Sequence, residues 1–137
     1  MGYTTIVTSS VLFVTELERS VEFYARMLGC RVTVSEQDAA LILAPGGFQI
    51  YVIARGRRAS HPLGGIGNQG LMWATETREE LADFAQALKD NDCYRDTHVV
   101  NGITFVEGHD PDNLRIIVAY PSPAQMPRSV VGARFFV

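Results

Sequence analysis

The stretch Val14-Thr15-Glu16-Leu17-Glu18-Arg19-Ser20-Val21-Glu22-Phe23-Tyr24-Ala25-Arg26-Met27-Leu28-Gly29 decides the fold. Leu17, Val21, Tyr24 and Leu28 recur at helical spacing while Arg19 and Glu22 fall off that stripe, which predicts a helix over Glu16–Leu28 with Gly29 as its stop. Sixty residues later the pattern returns without a gap. Thr75 and Glu76 repeat Thr15 and Glu16, and Leu81, Phe84, Ala85 and Leu88 stand where Val21, Tyr24, Ala25 and Leu28 stood. The spacing therefore predicts a second helix over Thr77–Lys89.

The flanking segments duplicate as well. A β-branched strand, Thr5–Val14, precedes the first helix, and three short strands follow it: Cys30–Ser35, Ala40–Ala44 and Phe48–Ala54. The turn Pro45-Gly46-Gly47 separates the last two. Around the second helix the same order runs through Gln69–Thr75, Cys93–Val100, Ile103–Glu107 and Leu114–Tyr120, with Asp110-Pro111-Asp112-Asn113 as the turn before the final strand. The reading is an α+β chain of two tandem βαβββ units. Unit 1 runs over about residues 3–55, a Gly/Arg/Pro-rich linker over 56–67 and unit 2 over about 68–120, together one domain over 1–120, and a tail covers 121–137.

Composition narrows the function classes. The chain has 137 residues, 47% of them apolar and 20% charged, which suits one domain with its own core and excludes a disordered or collagen-like chain. No apolar run approaches the roughly 20 residues of a membrane helix, and the first residues show no secretory pattern. A net charge of −3 and a pI near 5.5 argue against nucleic acid and anionic membranes as partners. Cys30 and Cys93 are too few for a disulfide framework and read as two thiols in a reducing, cytoplasmic setting.

The segment Val14–Tyr24 followed by Leu28-Gly29, together with the Asp110–Asn113 turn and the strand after it, resembles the vicinal-oxygen-chelate superfamily. Glyoxalase I, bleomycin-resistance proteins, fosfomycin-resistance proteins and extradiol dioxygenases belong to that superfamily. The resemblance spans nearly the whole chain apart from the tail. It implies strands curled around a cleft with the helices outside, and a homodimer. Metal-dependent members carry His, Glu or Gln on the first and last strand of each unit. Carried onto this chain, those positions fall on Ser9, Tyr51, Gln69 and Ile117, with Glu16 where the family usually has Asp. Only Gln69 is a tolerable ligand for a divalent metal, and isoleucine cannot coordinate at all.

Strand alternation gives a second reading of the same positions. The set in register with Ser10 comprises Leu12, Val14, Ile50, Val52, Met72, Ala74, Ile116 and Val118, and suits packing beneath helices. The opposite set comprises Ser9, Val11, Phe13, Gln49, Tyr51, Ile53, Gln69, Leu71, Trp73, Arg115 and Ile117. Its apolar walls and few polar anchors suit a small-molecule pocket, or alternatively a collapsed interior or a dimer contact. Tyr51 and Trp73 could stack on a planar ligand. Arg115 could pair with an anionic group of the ligand or with a nearby acid such as Glu107.

Other signals carry less. Gly65-Ile66-Gly67-Asn68-Gln69-Gly70 matches a dinucleotide fingerprint in letters, but it follows a linker and opens a strand, not a helix. His61, His98 and His109 lack metal-type spacing, and His109 and Asp110 read as exposed turn residues. No nucleophile elbow or calcium loop is present. Arg55-Gly56-Arg57-Arg58 reads as a solvated basic patch. Phe135, Phe136 and Val137 should pack on the body, a second subunit or a cleft mouth.

The expected function is a metal-free binding protein, without a cofactor, that holds an apolar or aromatic small molecule in the cleft, with or without an anionic group. Its ligand-binding residues would be Ser9, Phe13, Tyr51, Gln69, Trp73, Arg115 and Ile117. The alternative is a metal-dependent lyase, isomerase or ring-cleaving enzyme of the superfamily with displaced ligands, such as Gln69 with Glu107 or His98. An interaction module whose tail and cleft are used up in assembly is a third reading.

Overall fold

The computed structural model describes residues 2, 4, 7–56 and 68–125, and the chain divides into two compact units, Met1–Ala59 and Ser60–Val137. The first unit contains β1 (Ser9–Val14), α1 (Leu17–Leu28), β2 (Arg31–Ser35), β3 (Ala39–Leu43) and β4 (Gln49–Ala54). The second contains β5 (Met72–Ala74), α2 (Arg78–Asp90), β6 (Tyr94–Val100), β7 (Ile103–His109) and β8 (Arg115–Tyr120), followed by a short 3-10 turn at Pro123–Gln125. Both units are βαβββ, as the duplicated pattern predicts. The aromatic tail residues Phe135, Phe136 and Val137, His61 and most of the linker lie outside the described residues.

Each unit forms one four-stranded mixed sheet. The orders are β1-β4-β3-β2 and β5-β8-β7-β6, so the first and last strands of a unit pair in parallel at the sheet's edge and the other pairings are antiparallel. The strand after each helix carries a bulge. The register slips between Val32 and Val34 in β2 and between Tyr94 and Asp96 in β6. All five residues of β2 are exposed.

The helices end and begin for local reasons. Gly29 stops α1 in the left-handed conformation (φ 71°), and the Cys30 N–H donates to the Tyr24 carbonyl at 3.1 Å. At the start of α2 the Thr77 hydroxyl accepts from the Glu80 N–H while the Glu80 carboxylate accepts from the Thr77 N–H, a reciprocal cap. Cys30 and Cys93 each sit buried just beyond a helix, and no disulfide joins them. Burial pushes the Cys30 thiol up to about 11.

One face of each sheet is covered by its helix. In unit 1, Ile50 and Val52 are 1% and 0% exposed, whereas Val11, Phe13 and Tyr51 on the alternate positions are 62%, 54% and 42% exposed. The pairings Val11↔Tyr51 and Phe13↔Ile53 place the latter residues together on the helix-free face, as alternation predicts. In unit 2, a Cβ at Gly108 would lie 2.8 Å from a methyl of Leu88 in α2, so Gly108 marks the helix side of that sheet. Val106, Ile116 and Val118 share the Gly108 side by register.

The register corrects one part of the sequence reading. The strand expected over Gln69–Thr75 is only Met72–Ala74, and it pairs Met72 with Ile117 and Trp73 with Val118. Trp73 therefore faces the α2 side, and Met72 and Ala74 take the helix-free side. Unit 1 pairs Val11 with Tyr51, so an offset of sixty would have set Leu71, not Met72, opposite the matching position of β8. Gly70, at φ 140°, lies just ahead of β5, in a conformation that L side chains rarely adopt.

Three measurements check this arrangement. Gly108→Ala would push a Cβ to 2.5 Å from the Cys93 carbonyl oxygen. It should destabilise the protein by about 1–3 kcal/mol in urea unfolding. Trp73, the only tryptophan, should emit at shorter wavelength than free tryptophan and resist iodide quenching. Cys30 should stay unreactive to iodoacetamide at pH 8 in the native state. Because its folded pKa is raised, its burial favours folding less as the pH climbs from 9.0 towards about 11.

Candidate functional site

The predicted residues separate into two groups by unit. Ser9, Phe13 and Tyr51 share the helix-free face of unit 1. The Ser9 hydroxyl donates to the Gln49 side-chain carbonyl at 3.2 Å. The Arg55 guanidinium lies over the Phe13 ring, 4.8 Å from its centroid. Arg55, read from sequence as part of a solvated patch, thus caps an exposed aromatic and adds a cation to that face. Arg57 and Arg58 lie outside the described residues.

Gln69, Arg115 and Ile117 come together in unit 2, where they line a small open pocket of about 110 Å³ with Gly70, Leu71 and Met72. Clefts that hold a whole drug-sized ligand run to roughly 300–1,000 Å³. This pocket therefore fits one functional group or the end of a larger molecule. Trp73 is not part of it.

A buried ion pair adjoins the pocket. Arg115 Nη2 donates to Glu107 Oε1 at 2.8 Å, and the two residues are 9% and 2% exposed. Of the two sequence-level readings of Arg115, pairing with Glu107 is the one present. Glu107 sits directly opposite Ile117 on the neighbouring strand, with Arg115 diagonal to it. Ile103, Phe105, Ile117 and Ala119 form a buried apolar cluster on the same helix-free face. His98 stacks on Phe105 at 5.3 Å with its Nδ1 3.9 Å from Asp96 Oδ2.

The turn before β8 positions this pair. Asp110 Oδ1 accepts from the N–H groups of Asp112 and Leu114, both at 2.8 Å, and Asn113 takes a left-handed φ of 66°. Asp110 is buried, not exposed as the sequence suggested, because its carboxylate is consumed by the turn's own N–H groups. The half-buried His109 places Nδ1 3.2 Å from the Asp110 carbonyl oxygen, also against the exposed reading. The turn fixes where β8 starts, and hence that Arg115 pairs in register with His109.

The residues present do not fit the metal used by the superfamily's metalloenzymes. The four positions offer a serine hydroxyl held by Gln49, a phenol, an amide and a hydrocarbon. Glu107, the nearest carboxylate in register with Ile117, is engaged by Arg115. Among the described residues there is no group of three or more His, Cys, Asp or Glu side chains able to hold a metal ion.

Sequence reasoning put Met72 on the helix side rather than at the pocket, and named Glu107 only as a candidate partner of Arg115 or as a displaced ligand. The signal for Glu107 was available, since Ile103, Phe105 and Glu107 alternate onto one face of β7. Glu107→Ala would leave the Arg115 guanidinium buried without its carboxylate. It should cost about 3–5 kcal/mol in denaturant unfolding, more than the doubly neutral Glu107→Gln, Arg115→Gln variant.

A family model for the Glyoxalase/Bleomycin resistance protein/Dioxygenase superfamily matches residues 5–118. No curated protein matches the chain. Among solved structures, a glyoxylase/bleomycin resistance protein/dioxygenase domain from Frankia sp. EAN1pec is similar at a TM-score of 0.72 and 18% identity, covering 86% of this chain and 92% of that one. A glyoxalase/dioxygenase from Nostoc punctiforme matches at 0.72 and 14% identity, covering 83% and 89%. A lactoylglutathione lyase from Agrobacterium tumefaciens matches at 0.65 and 13% identity, covering 85% and 93%. At these identities the structures speak to the fold alone. With the family model spanning most of the sequence, the chain belongs to the Glyoxalase/Bleomycin resistance protein/Dioxygenase superfamily.

Proposed function

We propose that this protein is a small-molecule-binding member of its superfamily that works without a metal and holds an apolar or aromatic ligand. One observation carries the reading. Where the family's metal-dependent pattern calls for a carboxylate on the last strand, this chain has the buried hydrocarbon Ile117. The exposed Phe13 and Tyr51 of unit 1 and the pocket of unit 2 supply apolar surface and a few polar anchors. The proposed contacts are Ser9, Phe13 and Tyr51 on the helix-free face of unit 1, and Gln69, Arg115 and Ile117 at the pocket of unit 2. Trp73 drops out because it faces α2. The proposed working form is a homodimer in the cytoplasm. Two buried thiols without a disulfide accord with a reducing compartment. Among the described residues no helix is long and apolar enough to cross a membrane.

The test begins with metal. Elemental analysis, followed by titration with Fe, Mn, Ni, Co and Zn under non-oxidising conditions, should give no stoichiometric binding at micromolar concentration. A thermal-shift screen over aromatic and anionic compounds should then raise Tm by several degrees for a ligand present at about 100 times its Kd. One tightly bound metal per chain would overturn the reading in favour of a metal-dependent enzyme.

A further inference from the structure

We propose that the helix-free face of unit 1 takes a planar aromatic carboxylate, with its ring against Phe13 and Tyr51 and its carboxylate on the Arg55 guanidinium. This rests on the binding function above and names the ligand class that this face selects.

Backbone geometry aims Arg55 at that face. Its N–H donates to the Val14 carbonyl at 2.8 Å, which extends the β1–β4 ladder one residue beyond β4. Arg55 therefore follows Tyr51 and Ile53 on the same side, and its guanidinium lies over the Phe13 ring, 4.8 Å from the centroid. The ring attracts the cation through its quadrupole without satisfying the planar N–H fork that matches a carboxylate. Among the described residues no carboxylate pairs with Arg55. Asp38 meets the end of β4 through its carbonyl, which accepts from the Ala54 N–H at 2.9 Å.

The charge on this face selects an anion. Strands β1 to β4 contain no Asp or Glu. The acids of unit 1 are Glu16, Glu18 and Glu22 at α1, and Glu36 and Asp38 in the turn between β2 and β3. All 15 Asp and Glu residues of the chain lie among the described residues, so no other segment supplies one. Arg31, in register with Leu43 and Gln49, adds a second positive charge to the same face. In a chain of net charge −3, this face is cationic. The corresponding face of unit 2 sets Asp96 opposite Glu107. An anion is therefore favoured on unit 1. The exposed rings of Phe13 and Tyr51, diagonal neighbours on paired strands, supply the surface on which a flat ligand stacks.

The experiment uses three probes on the full-length protein, followed by two-dimensional 1H–15N NMR: naphthoate, its neutral analogue naphthamide, and the non-aromatic anion cyclohexanecarboxylate. Naphthoate should shift resonances of residues 11–13 and 51–55 and bind about 10-fold more tightly than naphthamide, a margin that shrinks as salt is raised. It should also bind more tightly than cyclohexanecarboxylate. Arg55 is exposed, so Arg55→Gln should fold normally, lose the preference for naphthoate and keep its naphthamide affinity. Arg19→Gln, which removes a cation paired with Glu16 on α1, should keep the preference. If naphthamide binds as well as naphthoate, or Arg55→Gln keeps the preference, the carboxylate anchor is wrong while the binding reading stands. Equal binding of cyclohexanecarboxylate overturns the aromatic part of the assignment. Shifts confined to residues 69–72 and 115–117 overturn the unit 1 site and leave the binding reading to the unit 2 pocket. If no probe perturbs either unit at millimolar concentration, the anchor and the binding reading fall together.

Discussion

A single helix can cover only one face of a four-stranded sheet. That constraint governs both halves of this protein. On the covered face Ile50 and Val52, and in the second unit Val106, Ile116 and Val118, leave almost no surface to water. Burying each such side chain is worth roughly 1.5–3 kcal/mol, so these positions set register and stability together. The other face is released from that duty, and the two units use it differently. Unit 1 leaves Val11, Phe13 and Tyr51 open, while unit 2 buries Phe105, Ile117 and an ion pair there. A duplicated framework has in this way acquired two chemically distinct helix-free faces.

The Arg115–Glu107 pair occupies the helix-free face of unit 2. A buried ion pair is seldom a net source of stability, because two desolvated charges roughly cancel their mutual attraction. Its presence on a face otherwise lined by Ile103, Phe105, Ile117 and Ala119 calls for a role other than packing. A metal centre needs anionic donors that converge with open lone pairs. Here the carboxylate on that face is already bonded to a guanidinium, so the local positive charge is covalently fixed in the chain. Superfamily membership sets the scaffold, and the chemistry depends on which residues occupy the strand positions.

Much of this was legible in the sequence, and the failures have definite causes. Helical spacing at Leu17, Val21, Tyr24 and Leu28, repeated at Leu81, Phe84 and Leu88, identified both helices and the duplication. Alternation assigned Ser9, Phe13 and Tyr51 to the helix-free face correctly because β1 and β4 pair without a slip. It failed at Trp73 because period-two patterning assumes an unbroken register. Gly70 precedes a strand of only three residues, and a one-residue offset turns every side chain over. Asp110 was misread for a different reason. Turn propensity reports that an aspartate favours the position, not that its carboxylate will be surrounded by the N–H groups it bonds. The Glu107–Arg115 contact is diagonal between strands; the sequence offered it as one of two partners for Arg115, and the register around the five-residue loop decides it.

The bulge in β2 has a consequence for how the sheet ends. β2 is an outer strand, fully exposed and rich in β-branched residues, which is the profile of a template for unwanted strand addition. The slip between Val32 and Val34 interrupts the two-residue repeat, and the Thr33 hydroxyl turns back to donate to the Leu41 carbonyl at 3.1 Å. An incoming chain would lose its hydrogen-bond phase midway along the strand. An edge that could have seeded aggregation is thereby made a poor mould for it.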